Sequence, residues 1–394
     1  MPVDLGAVYA RWVWCRALLH RGWWLVTSVY LVVDARMPAE RLVLIGVAQA
    51  AVGLVFEVPA GMLADTVSRK WSLVVSHLLM GTAMLTTGLV RGFLPLLATQ
   101  MLWGLSWTFA SGADVAWISD ELDEPARVPA VLIRAERAQL TGTVAGLLTL
   151  GGLARLTGRP TAIVLAGSAM LALGLFVAAG FRERRFAPAP AHRWPAAWSL
   201  LAGGLLLVRG SRVLVAIFAA TLLVNGVTST FGRLYPLRLV ALAPRLDPVV
   251  WLTGLGVVMC LAGAAALRLV QPRIGTPGTV RRGYLAAAAT ATAGIAGLAL
   301  APNALASGMA VLMAAGALPL TRSFATIWVN NETVTAVRAT VHSLLAQADY
   351  LGTIACGLTV AAIAGHAGLL PALATCAALL IAAIAVVAGR TGSP

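Results

Sequence analysis

Residues 61–70 read GMLADTVSRK and form a short polar interval between two long apolar runs. Gly61 and Asp65 are followed by two adjacent cations, Arg69 and Lys70. An apolar run of roughly 20 residues is long enough to cross a bilayer as a helix. The interval therefore predicts a loop between two membrane helices, and the fold depends on whether the rest of the chain supplies further spans.

The composition of the 394-residue chain is typical of a membrane protein. Hydrophobic residues make up 59% of it and charged residues 11%, whereas a soluble domain carries about 25% charged residues. The mean hydropathy is +0.87. We therefore expect an all-α protein that crosses a lipid bilayer many times.

Twelve apolar runs are long enough to be spans, and a basic, Pro- and Ala-rich stretch follows the sixth. This pattern predicts an N-terminal six-helix bundle at 1–182, a cytoplasmic linker at 183–208 and a C-terminal six-helix bundle at 209–394. The loops on the side of the two termini carry more Arg and Lys residues than the opposite loops, where Arg233 and Arg238 are placed, so both termini are expected in the cytoplasm. The runs are 12–33, 42–63, 71–90, 94–118, 131–153, 160–181, 211–231, 249–270, 282–301, 304–327, 338–364 and 368–389.

Several function classes are disfavoured by the sequence. The net charge of +14 does not indicate a nucleic-acid partner, because the basic residues fall in short gaps between apolar runs. The four cysteines lie inside apolar runs without CxxC spacing, which predicts free, buried thiols. Neither G-x-x-x-x-G-K-[ST] nor H-E-x-x-H occurs in the sequence. We therefore expect no enzyme activity, no cofactor and no metal.

The 61–70 interval resembles the G-x-x-x-D-x-x-G-R-[RK] loop that major facilitator superfamily (MFS) transporters carry between their second and third membrane helices. Gly61, Asp65, Arg69 and Lys70 match this pattern, while Ser68 replaces its second glycine. The layout of six spans, a linker and six spans is similar to the pseudo-repeat of the same superfamily. The resemblance implies two pseudo-symmetric six-helix bundles that rock about a central site.

The resemblance also implies a conformational latch at the cytoplasmic side. It places Asp65 against the start of the eleventh helix, which contains Arg338. It pairs Arg69 with an acidic residue at the inner end of the fourth span, where Asp120 is the expected partner and Asp114 the second choice. Such a pair, with Gly61 and Lys70, would hold the outward-facing state. The alternative is that the cations merely mark a cytoplasmic loop.

Two further stretches, 56–61 and 330–349, resemble a bacterial drug-efflux-like, 12-helix branch of the superfamily. Gly142 and Gly146 in the fifth span are similar to the glycine-rich antiporter motif of efflux members, without its usual proline. Close helix packing is the alternative explanation for these glycines. The fourth span lacks the buried arginine of many proton-coupled exporters. This absence argues against proton antiport but not against transport.

Ionisable side chains inside a span are costly, so they are candidates for proton or substrate sites. Asp349 and Glu57 are the acidic candidates for proton coupling, and structural ion pairs are the alternative for both. His20 is a third candidate because an imidazole changes charge near neutral pH. The further cavity candidates are Arg16, Arg21, Arg322, Asn225 and the aromatic pair Trp103 and Trp107, for which lipid-facing or packing roles are the alternative.

Together these features predict an MFS-type secondary active transporter in the bacterial cytoplasmic membrane. The favoured activity is proton-coupled efflux of a small amphipathic molecule by alternating access, carried out by a monomer whose partners are the substrate, protons and the lipid bilayer. An importer or facilitator of a small nutrient or metabolite is the first alternative. A non-transporting membrane sensor or accessory subunit is the second.

Overall fold

The computed structural model describes residues 4–122, 124–188, 205–206, 208–270, 277–333 and 335–390, and these residues form helices joined by short loops. The side chains at 125, 277, 335–339 and 390 lie outside the description. The long helices, together with one short helix, α5, are α1 (Leu5–Val33), α2 (Ala39–Thr66), α3 (Arg69–Leu89), α4 (Phe93–Ala110), α5 (Ala113–Glu121), α6 (Val128–Thr157), α7 (Arg159–Gly180), α8 (Arg212–Leu242), α9 (Pro248–Val270), α10 (Pro277–Leu300), α11 (Ala304–Glu332), α12 (Thr335–Ala367) and α13 (Leu369–Arg390).

Several helices begin at a polar side chain that caps them. The Asp4 carboxylate accepts a hydrogen bond from Gly6 N at 3.1 Å, and the Asn303 amide oxygen accepts one from Ala306 N at 2.9 Å. Such side chains satisfy backbone N–H groups that have no partner within the helix. Short polar side chains between apolar runs therefore fix where these helices start.

Ten helices among the described residues are long and apolar enough to cross a membrane. They are α2, α3 and α6–α13. Helix α1 carries three arginines and a histidine, and α4 has only 18 residues. Neither is among the ten. The apolar runs thus located the helices, although most helices extend several residues beyond the predicted spans.

Two predicted boundaries differ from the structure in ways that matter. The predicted span 94–118 is interrupted, because α4 ends at Ala110 and α5 starts at Ala113, after Gly112 adopts a left-handed backbone conformation with φ of 73°. The predicted span 211–231 is too short, because α8 continues to Leu242. Arg233 therefore lies inside a helix and not in a loop.

The chain divides into two compact units. Unit 1 comprises residues 1–37, 52–191 and 247–257. Unit 2 comprises residues 38–51, 192–246 and 258–394. The first part of α2 therefore belongs to the unit that contains α8 and α10–α13, and the first part of α9 belongs to the unit that contains α1 and α3–α7.

A buried aromatic cluster lies in the core of unit 1. Trp117 stacks on Phe181 with ring centroids 4.1 Å apart, and Trp12 meets the edge of the same phenyl ring at 5.6 Å. The Trp12 indole N–H donates to His77 Nε2 at 3.2 Å. Because an indole nitrogen only donates, His77 must accept at Nε2, and its Nδ1–H donates to Leu73 O at 2.7 Å.

Glycines bring α1 and α6 into direct backbone contact in unit 1. A Cβ atom added to Gly146 would overlap the carbonyl oxygen of Leu18, and one added to Gly22 would overlap the carbonyl oxygen of Gly146. A Cβ on Gly142 would lie 2.5 Å from Trp14 O. Small residues let membrane helices pack closely where no hydrophobic effect drives them together. The glycine-rich part of the fifth predicted span therefore has a packing role.

Helices α8 and α12 make the same contact in unit 2. A Cβ atom added to Gly352 would overlap the carbonyl oxygen of Leu222, and one added to Gly226 would overlap the carbonyl oxygen of Gly352. Leu222 precedes Gly226 by one helical turn, as Leu18 precedes Gly22. The two units thus repeat one arrangement of leucine carbonyl, glycine and facing glycine.

We expect Gly146→Ala to lower the free energy of unfolding by about 1–3 kcal/mol, because the added methyl group cannot fit against the α1 backbone. Gly152→Ala on the same helix is the matched control, since a Cβ there meets nothing within 4 Å. Unfolding of the purified proteins in detergent, followed by circular dichroism against temperature or denaturant, measures both. Equal stability of the two variants would contradict a packing role for Gly146.

Candidate functional site

The predicted latch residues form an ion-pair network where α2, α3 and α5 meet. The Arg69 guanidinium pairs with Asp120 at the end of α5 and lies 3.4 Å from the Asp65 carboxylate at the end of α2. It also donates to Ala116 O at 3.2 Å. One arginine therefore ties three helix ends together within unit 1.

Ser68 and Glu183 cap the start of α3 within this network. Ser68 Oγ accepts from Trp71 N at 3.0 Å and donates to Glu183 Oε2. Glu183 Oε1 accepts from the backbone N–H groups of Arg69 and Lys70 at 2.8 and 3.1 Å. A carboxylate is stabilised beside free N–H groups at a helix N-terminus. Ser68 thus forms contacts that a glycine could not, and its extended backbone, with φ of −177°, does not need one.

Glu183 was not among the predicted site residues, because it lies in an arginine-rich stretch at the start of the predicted linker. A second glutamate holds the same stretch: Glu121 Oε1 accepts from Arg184 N at 2.8 Å and from Arg185 N at 2.9 Å. The first residues of the predicted linker are therefore bonded to α3 and α5. Residues 189–204 of it lie outside the described part of the chain.

The remaining latch candidates contribute less to the network. A Cβ atom on Gly61 would meet nothing within 4 Å, so packing does not demand glycine there. The Lys70 ammonium group lies 5.5 Å from the centre of the Trp71 ring. Arg338 is in α12, but its side chain lies outside the described residues.

Asp114, the second expected partner of Arg69, pairs with Arg16 of α1 instead. The two side chains are 3.0 Å apart and only 16% and 13% exposed. The Arg16 guanidinium also lies over the Trp12 ring at 4.5 Å. The pair forms where α4 gives way to α5, so the break at Gly112 places a carboxylate beside an arginine in the first helix.

His20 lies within an aromatic cluster formed with Trp103 and Trp107. Its ring stacks on Trp103 at 5.5 Å and meets Trp107 edge-on at 5.0 Å. Only 7% of the residue is exposed, and within the described part of the chain its Nε2 atom has no hydrogen-bond partner. Arg21 is exposed, and Glu57 is half-buried in α2.

A cavity of about 250 Å³, with several polar side chains in its lining, lies within unit 2 between α8, α10, α11 and α12. It brings together three of the predicted candidates, Asn225, Arg322 and Asp349. Arg322 donates to the Asp349 carboxylate at 3.1 Å, and the two side chains are 61% and 34% exposed. The cavity therefore contains an ion pair whose members both remain accessible.

Three cavity residues were missed by the sequence analysis. Thr221, Tyr284 and His342 line the cavity. His342 Nε2 is 2.7 Å from Asn330 Oδ1, which fixes the imidazole ring. His342 precedes Asp349 by two helical turns on α12, so the helical period could have placed both on one face. Tyr284 and Thr221 carried no such signal.

Arg233 of α8 donates to the side-chain oxygen of Gln49 in the first part of α2. Gly46, one turn earlier in α2, leaves room for this guanidinium, because a Cβ atom there would overlap it. The pattern of apolar runs predicted Arg233 in an outer loop. The contact joins α8 to the first part of α2 within unit 2.

Comparison with solved structures finds membrane transporters over nearly the whole chain. The nucleoside transporter NupG aligns with a TM-score of 0.76 and 13% identity over 100% of both chains. The POT family transporter PepTSo gives 0.75 and 12% over 97% of both. A bacterial homologue of the human lysosomal transporter Spinster gives 0.69 and 14%, covering 99% of this chain and 96% of that one. No family model and no curated protein matches the sequence.

These similarities show the fold, which the chain shares with the membrane transporters named above. The identities are too low to show more than the fold. They do not identify a branch of transporters, a substrate or a coupling ion for this chain.

Proposed function

We propose that the chain is a secondary active transporter that exchanges a small molecule for protons across the bacterial cytoplasmic membrane by alternating access. The observation that carries this proposal is the cavity in unit 2, with its accessible Arg322–Asp349 pair midway along apolar helices. Charged side chains inside a membrane span are energetically unfavourable, so they usually indicate a functional site such as a transport site. The shared transporter fold supports the same conclusion.

The proposed topology has twelve spans, formed by the ten apolar helices together with α1 and the α4–α5 pair. The repeated glycine contact supports two related halves, at 1–182 and 209–394, joined by the linker 183–208. The excess of Arg and Lys residues on the side of the two termini supports a cytoplasmic location for both. We infer a monomer as the transporting unit.

Asp349 is the proposed proton carrier. Its carboxylate faces the cavity beside Arg322, so proton binding and release would break and restore the ion pair. A single carboxylate that binds either a proton or a cationic group of the substrate couples the two in opposite directions, since it cannot hold both. This competition favours export by proton exchange.

Import or facilitated diffusion of a polar metabolite is the second candidate function. The lining of the cavity favours it, because hydroxyl, amide and imidazole groups from Thr221, Asn225 and His342 suit a hydrogen-bonding substrate. The cluster of His20, Trp103 and Trp107 favours the amphipathic substrate predicted from the sequence. The polar groups of the cavity indicate the kind of substrate, but they do not indicate the direction of transport.

The Arg69 network is the proposed latch at the cytoplasmic side. We expect Asp120→Asn to slow transport several-fold while leaving substrate affinity intact, because it weakens a contact between helix ends whose residues do not line the cavity. Glu124→Gln, which removes an exposed carboxylate from the neighbouring loop, is the matched control. Initial rates and half-saturation concentrations in liposomes measure both. Unchanged rates in Asp120→Asn would remove the latch role.

We expect Asp349→Asn to abolish substrate-dependent proton movement, because an amide cannot carry the proton. The measurement is the internal pH of proteoliposomes challenged with lipophilic cations, antibiotics, sugars and amino acids. Asp34→Asn is the control, since its pair with Arg159 lies outside the cavity. Proton movement in Asp349→Asn equal to that of the wild type would show that another group carries the proton.

A further inference from the structure

The charge of the unit 2 cavity restricts what it can bind. Among the side chains that the structure describes, Arg322 and Asp349 are the charged members of its lining, and they balance each other. A ligand with a net charge would leave one charge uncompensated between apolar helices, which is unfavourable where water is only partly available. The favoured ligand is therefore neutral overall.

The accessibility of the ion pair distinguishes between two kinds of neutral ligand. The Arg322 side chain is 61% exposed and the Asp349 side chain 34%, so each retains hydrogen-bonding capacity beyond the single 3.1 Å contact. A guanidinium offers a planar set of donors that matches a carboxylate. A molecule carrying both charges could form a charge-assisted hydrogen bond to each residue at once, and such bonds are stronger than those of a sugar or a nucleoside.

Two buried hydroxyl groups complete the site. Tyr284 and Thr221 line the cavity, and neither hydroxyl oxygen has a hydrogen-bond partner in the part of the chain that the structure describes. The residues are only 2% and 6% exposed. Leaving a buried hydroxyl group unbonded costs about 1–3 kcal/mol. Both oxygens are buried in this structure, so a ligand with further polar atoms would bond to them only after the cavity lining rearranges.

The volume of the cavity sets the size of the ligand. About 250 Å³ is available, which is below the roughly 300–1,000 Å³ of pockets that hold drug-sized molecules. The site therefore suits a metabolite of a few carbon atoms with polar groups at both ends.

We propose that the unit 2 cavity binds a small zwitterion, whose anionic group contacts Arg322 and whose cationic group contacts Asp349. Binding replaces the contact between the two side chains with two contacts to the ligand. This inference rests on the proposed function and names the substrate class of the same site. It also gives the exchange a physical basis, because the proton and the cationic group of the substrate compete for one carboxylate.

The test uses the full-length wild-type protein in lipid nanodiscs and isothermal titration calorimetry with matched probes. The zwitterions are L-glutamine, L-serine, γ-aminobutyrate and glycine betaine. L-glutamine amide is the matched cation, N-acetyl-L-glutamine the matched anion, and mannitol and uridine are the uncharged polar probes. We expect at least one zwitterion to bind roughly tenfold or more tightly than every charged or uncharged probe. Equal or tighter binding of any of these other probes would overturn the proposal.

Two variants test the assignment of each charge. Asp349→Asn leaves the cavity with a net positive charge and is expected to shift the preference toward N-acetyl-L-glutamine. Arg322→Gln leaves it negative and is expected to shift the preference toward L-glutamine amide. If a variant does not fold, the wild-type ranking decides alone. Two variants that keep the wild-type ranking would overturn the assignment.

Transport of the same probes into liposomes separates this inference from the proposed function. If mannitol or uridine is transported and no zwitterion is, the transporter stands and the substrate class is wrong. If no probe of any class moves, the proposed function fails together with the inference.

Discussion

The close contact between two pairs of helix backbones underlies the rest of the structure. Gly22 and Gly146 allow α1 and α6 to touch, and Gly226 and Gly352 do the same for α8 and α12. In a bilayer, lipid tails compete with side chains for apolar surface, so close van der Waals packing must hold helices together. Each of these contacts joins one long helix to another near its middle, where the polar groups discussed above are also found.

The same contacts make the cavity possible. Helices α8 and α12 carry Asn225, His342 and Asp349 around their glycine contact, so the packed backbones fix the spacing of these side chains. Helices α10 and α11 add Tyr284 and Arg322 from the other side. A rigid scaffold of this kind can hold an ion pair accessible at membrane depth, where a flexible one would let the charges collapse or move to the interface.

Helix positions followed from the sequence because apolar runs report burial in lipid directly. The break at Gly112 did not follow from the sequence. Ser111 and Gly112 are two small residues in a long apolar run, and they leave its overall composition apolar. Arg322 and Asp349 were each candidates, but their contact joins residues on different helices and depends on which faces converge. Tyr284 was not predicted because its place in the cavity also depends on which helix faces converge. Arg233 was not predicted because the end of its helix was placed too early. The efflux branch and antiport remain predictions from the resemblance.

Alternating access, as proposed above, requires two rigid halves that move against each other. Pulsed electron–electron double resonance measures the distances between spin labels and tests this motion. The four native cysteines are first replaced by alanine. The labels are then attached to cysteines introduced at the exposed helix ends Leu89, Leu156 and Leu300. The Leu89–Leu156 distance, within the first half, should stay constant when pH or substrate changes. The Leu156–Leu300 distance, across the halves, should shift between two populations. If the distance distributions of both label pairs stay unchanged under all conditions, alternating access by rigid halves is contradicted.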